Sequence, residues 1–274
     1  VTLHIYEDLD QGTPEWFAAR AGIPTASVMH HLITTGSPDA LTIDCPNCGS
    51  TAGDPCMSLA RKIPAPIKTV HGERSAAASA LPPVYRVADN LGSQGLTATL
   101  AAERITGHVE PMATSRDMER GTLDEPYARD VYSERYAPAT VLGFMVRDFG
   151  GYSIGYSPDG MVGDDGLLEI KSRKQKIQLG TFLDDEVPAE NMAQLQTGLL
   201  VSGRDWIDYM SYAGGMPPYI KRVYPSNAWF DVIHQAAAAL EITAADMLDK
   251  YLKATDGNEP TERIDHYLEL ELKL

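Results

Sequence analysis

The chain has 274 residues, 43% hydrophobic and 22% charged, the make-up of an ordinary globular protein with one large domain or two small ones. No apolar run approaches the roughly 20 residues of a membrane span, and Val1-Thr2-Leu3-His4 lacks the basic-then-apolar layout of a secretory leader. The formal net charge of -15 argues against indiscriminate coating of a polyanion, while leaving room for a local basic groove or a carboxylate-built metal site. A cytoplasmic setting is the default expectation.

In chain order, Gly12-Thr13-Pro14-Glu15 opens a short helix carrying Trp16 and Phe17, and Thr25-Ala26-Ser27 starts another with Val28 and Leu32. The stretch from Ile43 to Pro83 is rich in proline and glycine and has almost no apolar periodicity. It reads as an insertion, residues 43–83, into a larger domain spanning 1–274. Tyr85 to Ile105 reads as helix interrupted near Gly92 and Gly95. Ser115 to Tyr136 reads as a long amphipathic helix with Met118, Tyr127, Val131 and Tyr132 facing the core. The period then changes to two: Thr140–Val146, Tyr152–Ser157, Gly166–Lys171, Trp206–Tyr212 and Tyr219–Tyr224 are expected strands. Glu190 to Val201 is helical between them. A last helix runs from Asn227 to Leu252, with Trp229, Ile233, Leu240, Ala244, Met247 and Tyr251 on one face. The expected fold class is α/β or α+β, a mixed central β-sheet flanked by helices.

All three cysteines fall in the insertion, as Cys45-x2-Cys48 followed by Cys56, and His71 follows them. An odd, closely spaced set is poor material for a disulfide framework; three thiolates and an imidazole suit a structural Zn2+. Asp44 and Asp54 compete with His71 for the fourth position. The segment has few apolar residues, so metal would supply much of its folding energy. Arg61, Lys62, Lys68 and Arg74 permit contact with DNA, and Asp44, Asp54 and Glu73 nearly balance them.

The stretch from Gly155 to Lys171 joins two strands through a Gly/Asp-rich turn. Side chains at i and i+2 of a strand share a face, so Glu169 and Lys171 point one way and Ile170 turns into the core, with Asp159 opposite. Two carboxylates and an ammonium suit phosphodiester hydrolysis. Hard oxygens select Mg2+ or Mn2+, and the lysine orients or deprotonates the attacking water. The plain alternative is a solvated hairpin with a cross-strand ion pair.

Pro158-Asp159 followed by Glu169-Ile170-Lys171 resembles the PD-(D/E)XK nuclease signature. Three further blocks make the resemblance specific to the lambda exonuclease, or YqaJ-like viral recombinase, family. They are Gly12–Arg20 with Thr25-Ala26-Ser27, Gly121-Thr-Leu-Asp-Glu125 with Ala128, and Asn191–Gln196 with Gly203 and Trp206. The resemblance implies a restriction-endonuclease-like core in which Asp159, Glu169, Ile170 and Glu125 hold Mg2+ or Mn2+, two ions in all. Lys171 and Gln194 would position the water, while Arg20, Ser27 and Ser157 would hold a DNA 5′-phosphate. It further implies an exonuclease working 5′-to-3′ on double-stranded DNA ends, leaving 3′ single strands for phage-type recombination in the cytoplasm of a bacterial host. A single-strand annealing protein and further copies of the chain are the partners it suggests.

Each residue also has a bland reading. Arg20 is a helix charge, Ser27 an N-cap, Ser157 a strand end, Glu125 a first-turn acid and Gln194 an exposed amide. Lys171, Arg173, Lys174 and Lys176 either track the DNA backbone or form a solvated basic loop. The resemblance accounts for neither the insertion nor the negative charge. The competing functions are a structure-specific or repair nuclease of the same superfamily, and a zinc-knuckle DNA-binding module on a vestigial nuclease core.

Overall fold

Strands and helices alternate from the start of the chain in the computed structural model, which describes residues 1–60, 63–110 and 115–264. Strand β1 (Thr2–Tyr6) leads to helix α1 (Pro14–Arg20), a 3-10 turn at Ala26–His31, β2 (Ile33–Gly36) and a second 3-10 turn at Ala40–Thr42. Helix α2 (Gly72–Ser79), β3 (Val84–Val87), α3 (Leu91–Thr106) and α4 (Arg116–Arg135) follow. Then come β4 (Ala139–Thr140), β5 (Phe144–Asp148), β6 (Ser153–Tyr156), β7 (Gly160–Val162) and β8 (Gly166–Ser172). Helices α5 (Gln175–Asp184) and α6 (Ala189–Ser202), β9 (Trp206–Tyr212), β10 (Tyr219–Val223) and α7 (Asn227–Ala254) complete the order.

The architecture is a mixed central sheet flanked by helices. Five strands lie in the order β10-β9-β8-β7-β4, and only β8 and β9 run parallel, with Glu169 opposite Tyr209. A parallel pair needs a long crossover, here supplied by α5 and α6. Strand β8 is covered on both faces, which is why it reads Gly-Leu-Leu-Glu-Ile. Leu168 and Ile170 pack with Ala128 and Tyr132 of α4, while Leu167 joins the larger core built on α6 and α7. A second sheet, β1-β5-β6, meets the first where β6 runs through Ser157-Pro158-Asp159 into β7.

Strands β2 and β3 pair antiparallel, from Ile33 opposite Val87 to Gly36 opposite Val84. Everything between them therefore leaves and returns on one two-stranded ribbon. Tyr85 of that ribbon lies against Trp229 of α7, with ring centroids 4.1 Å apart.

Several expectations need correction. Tyr85 belongs to a strand; the helix begins at Leu91, where Asn90 accepts from the amides of Gly92 and Ser93 and Ser93 caps back, so Gly92 and Gly95 lie inside it. Residues 140–146 form two strands instead of one. They are divided at Gly143, where a side chain would meet the carbonyl oxygens of Tyr6 and Leu9 at 2.5 and 2.6 Å. On α4, Met118 and Tyr127 are exposed, and Ala128 and Tyr132 face the core. The short strands β1, β2, β3 and β7 and helix α5 carry too little periodicity to stand out in sequence.

One buried polar knot ties α4 to the sheet. Asp208 of β9, 4% exposed, accepts from the Tyr132 hydroxyl at 2.7 Å and from Arg222 at 2.8 and 2.9 Å. Arg222 lies over the Trp206 ring at 3.5 Å. Asp208→Ala leaves a buried hydroxyl and a half-exposed guanidinium without partners, an expected loss of about 2–3 kcal/mol. Thermal melting should fall by roughly 5–10 °C. A melt within about 2 °C of the parent would remove this account of how α4 is held.

Candidate active site and metal centre

The nuclease-type residues come from four elements and converge at one end of the central sheet. Glu169 on β8 is 1% exposed. One of its oxygens, Oε1, accepts from Lys171 Nζ at 2.7 Å and from Gln194 Nε2 of α6, and the other, Oε2, accepts from the Tyr156 hydroxyl at 3.3 Å. The shared face of Glu169 and Lys171 follows from the strand period. Asp159 reaches across from the β6–β7 connection, and its Oδ2 accepts from the Ile170 amide at 2.6 Å. Glu125 approaches from α4 and pairs with Arg129 four residues along, whose Nε also donates to the Asp159 carbonyl at 2.6 Å. Ile170 turns its side chain into the core beneath α4, so only its main chain faces the site.

A second group sits beside this one. Arg20, at the end of α1, lies over the Trp16 ring at 4.2 Å and donates to Thr25 Oγ1 at 3.2 Å. The Thr25 and Ser27 hydroxyls are 3.1 Å apart, and Trp16 Nε1 donates to Ser157 Oγ at 3.1 Å. Arg20, Ser27, Ser157, Glu125, Asp159, Glu169, Ile170, Lys171 and Gln194 all line a single cleft of about 420 Å3. Sequence reasoning singled out these nine and passed over Trp16, Thr25, Tyr156 and Arg129. Thr25 lies in the Thr-Ala-Ser block and Arg129 stands at i+4 from Glu125. Tyr156 had no signal beyond its place next to Ser157.

The electrostatics of the cleft are those of crowded carboxylates. Burial, then Glu169 and Glu125, push the Asp159 carboxyl well above its ordinary range, against the pull of Lys171. Burial also raises Glu125, with Glu169 adding to it and Arg129 opposing. Burial alone would lower Lys171, but Glu169 and Asp159 outweigh it and its ammonium is held above the usual value. Of the two roles expected of Lys171, orienting the water or removing its proton, a firmly charged ammonium suits the first. Asp159 and Glu125, both raised in proton affinity, stand with the buried Glu169 as a set of oxygen donors that a divalent cation would relieve, so the donors fit Mg2+ or Mn2+.

The soft donors lie apart, on the ribbon's lobe. One ligand atom each from Cys45, Cys48, Cys56 and His71 all fall within 4.8 Å of one another, with Cys45 Sγ 3.5 Å from His71 Nδ1. Ligands of a tetrahedral zinc at about 2.0–2.3 Å stand about 3.5–3.8 Å apart, so the set fits Zn2+. Gly49, at φ +71, turns the first knuckle so that its amide meets the Cys45 carbonyl at 2.9 Å. Amides of Met57 and His71 donate to the sulfurs of Cys48 and Cys56, each at 3.4 Å. Hydrogen bonds led by that from Ser50 bring the Cys48 thiol down to about 5. Asp44 and Asp54, the competing ligands, accept instead from the Ala52 amide at 2.8 Å and the Thr51 hydroxyl at 2.7 Å.

Arg74 corrects an expectation. It is fully buried and donates to the carbonyls of Ile43, Asp54, Leu41 and Thr51 and to Cys56 Sγ. No part of it is left to meet DNA. Lys68 is exposed, and Arg61 and Lys62 lie outside the described residues.

Residues 90–205 match the YqaJ-like viral recombinase domain. The alkaline exonuclease LHK-Exo of Laribacter hongkongensis is 25% identical with a TM-score of 0.62, over 89% of this chain and 97% of that one. Residues 90–205 are those of a YqaJ-like viral recombinase domain. Its match spans Glu125, Asp159, Glu169, Lys171 and Gln194, while residues 11–90 match a family described as a "putative DNA-binding phage zinc finger domain". LHK-Exo in complex with dAMP gives 24% identity and a TM-score of 0.62, over 89% of this chain and 98% of that one. No curated protein matches.

The lobe has its own stability test. Cys48→Ser should lower zinc content from about one ion per chain and speed proteolysis between residues 43 and 80. Arg74→Met should open the same segment, because five acceptors lose their donor at once, each a loss of about 1 kcal/mol or more. Zinc-free protein prepared without chelators, or a protease-resistant Arg74→Met lobe, would contradict this picture.

Proposed function

We propose that the chain is a metal-dependent exonuclease that degrades double-stranded DNA from 5′ ends. The observation that carries the reading is the shared cleft: the Arg20/Ser27/Ser157 group and the carboxylate group line one cavity. An arginine and neighbouring hydroxyls suit a terminal phosphate dianion, which would place the next phosphodiester against Asp159 and Glu169. The match of residues 90–205 to the YqaJ-like viral recombinase domain supports the same class of activity, as does the likeness to a protein named as an alkaline exonuclease. The intact carboxylate-lysine set speaks against a vestigial core.

Asp159, Glu169, Glu125 and the main chain of Ile170 would hold two Mg2+ or Mn2+ ions. When bound, such ions neutralise the scissile phosphate and make a water nucleophilic at neutral pH. Lys171, kept charged by Glu169, donates to the attacking or non-bridging oxygen. Gln194 and Tyr156 fix the Glu169 carboxylate by occupying one lone pair on each oxygen, so the glutamate does not swing away. Arg20, stacked on Trp16, clamps the terminal phosphate and sets the register of the cut. Resection in this sense leaves a 3′ single strand, the substrate of a recombination partner that anneals strands. Residues 1–274 would form one nuclease domain, with 43–83 a zinc-bearing insertion that meets DNA beside it. A homo-oligomer suits processive work, and the setting is bacterial cytoplasm.

Linear duplex should disappear in Mg2+ while covalently closed circles persist; nicking or linearisation of closed circles would turn the reading toward an endonuclease. Lys171→Ala should cut roughly a thousandfold more slowly with its fold intact. Near-parental rates in that variant would sink the mechanism. A 5′-phosphorylated duplex should be degraded faster than a 5′-hydroxyl one, and Arg20→Ala should erase the difference. Equal rates on both ends in the parent would contradict the clamp.

A further inference from the structure

Beside the catalytic cleft lies a second hollow of about 490 Å3, lined chiefly by Arg120, Asp124, Arg173, Lys174 and Lys176. Four cations meet there in a chain whose net charge is -15. The hollow continues the cleft along the chain: Lys171 and Ser172 line the cleft, and Arg173 to Lys176 line the hollow.

We propose that this hollow holds a backbone phosphodiester of duplex DNA, a few nucleotides from the bond being cut. The inference rests on the nuclease reading above and adds where the duplex lies. Its two lysines are only loosely committed. Arg120 and Lys174 share one carboxylate, Asp117, at 2.7 and 2.9 Å, and that carboxylate and Lys174 are both more than half exposed. Exposed pairs of this kind hold little energy and yield readily to a phosphate. Lys176 makes no ion pair among the described residues. Arg173 bonds Asn191 at 2.7 Å and stands 3.7 Å from Glu190, yet its Nε is buried with no partner among the described residues. An anionic oxygen would satisfy that unspent donor once the guanidinium turns toward the hollow.

The remaining acid, Asp124, is turned aside: it accepts from the Ser172 hydroxyl at 2.6 Å, and Ser172 accepts from Arg120 Nε at 3.0 Å. That chain of bonds forms the divide between the cleft and the hollow and anchors Arg120 at its edge. Three Cα–Cα steps separate Lys171 from Lys174, at most about 11 Å. Base steps along one strand rise about 3.4 Å, so a phosphate in the hollow would lie within roughly three steps of the scissile bond.

The test is the binding of a short, labelled, 5′-phosphorylated duplex, followed by anisotropy across a salt series. Ca2+ replaces Mg2+ so that the duplex stays intact. Lys174→Ala/Lys176→Ala should weaken binding about tenfold or more at low salt, and the slope of log K against log[salt] should become shallower by about 2. Lys250→Ala/Lys253→Ala on α7 removes the same charge far along the chain and should leave both quantities as in the parent. If both double variants weaken binding equally, bulk charge is the cause and the hollow is not a site. Parental affinity and slope in Lys174→Ala/Lys176→Ala overturn the inference alone, provided the parent cuts linear duplex. A parent that neither binds nor cuts duplex overturns the nuclease reading and this inference with it.

Discussion

The buried carboxylate of Glu169 is the constraint around which the rest of the cleft is arranged. A carboxylate at 1% exposure is tolerable only when its lone pairs are matched, and here Lys171, Gln194 and Tyr156 match them from a strand, a helix and a second sheet. Each of those elements is pinned in turn. Strand β8 is central and paired on both edges. Helix α6 carries Gly198 under the Tyr156 ring, where a side chain would meet ring carbons at 2.8–3.1 Å. The fold brings three elements to one carboxylate, and the space left between them is the cleft.

The same residues show what a sequence can and cannot carry. The face shared by Glu169 and Lys171 follows from the strand period, a local rule, so the position of that pair was legible. The long helices α6 and α7 were legible too, because their apolar spacing repeats over several turns. Tyr85 was misread as helical because three or four residues of strand offer no period to set against the helix that follows. Met118 and Tyr127 were placed inward on α4 because they are large and apolar. The packed stripe keeps the expected Tyr132 and Val131 and adds Ala128, since the helix lies close over Ile170 and needs a small residue at the contact. Tyr156 and Trp16 contribute through partners 13 and 141 residues away, and no local pattern encodes such pairs.

Two solutions to filling an interior coexist in one chain. The nuclease core is aliphatic and aromatic and excludes water in the usual way. The lobe between β2 and β3 has few apolar side chains to bury, and at its centre is Arg74, satisfied by four carbonyls and a sulfur. A guanidinium with five donors in a fixed fork can gather several loop segments whose backbone acceptors would otherwise be unpaired. The four soft donors stand on the same loops, which a bound Zn2+ would crosslink. Proline and glycine in this stretch mark where backbone, instead of side chains, does the packing.

The acidic surplus of the chain bears on how such a cleft would treat a polyanion. With -15 overall, long-range attraction to DNA is absent, and engagement has to come from cations placed at short range. The structure has them near the cleft: Arg20 on one flank, Lys171 within, and Arg120, Arg173, Lys174 and Lys176 on the other. Arg20 is pre-set by stacking on Trp16, and Lys171 by its bond to Glu169. Beyond Ser172, Lys174 is held by an exposed ion pair with Asp117 and Lys176 by none among the described residues, while Arg120 and Arg173 are anchored by Ser172 and Asn191. Under the proposed function, tight contacts at the reacting end and loose ones along the duplex would suit an enzyme that steps. Contacts that must be broken at every step cannot each be strong, whereas the group that sets the register has to be. A strongly basic groove would hold DNA at any position along its length. An acidic chain with a few local cations would instead, on the proposed reading, favour the one place where a terminal phosphate adds an extra charge.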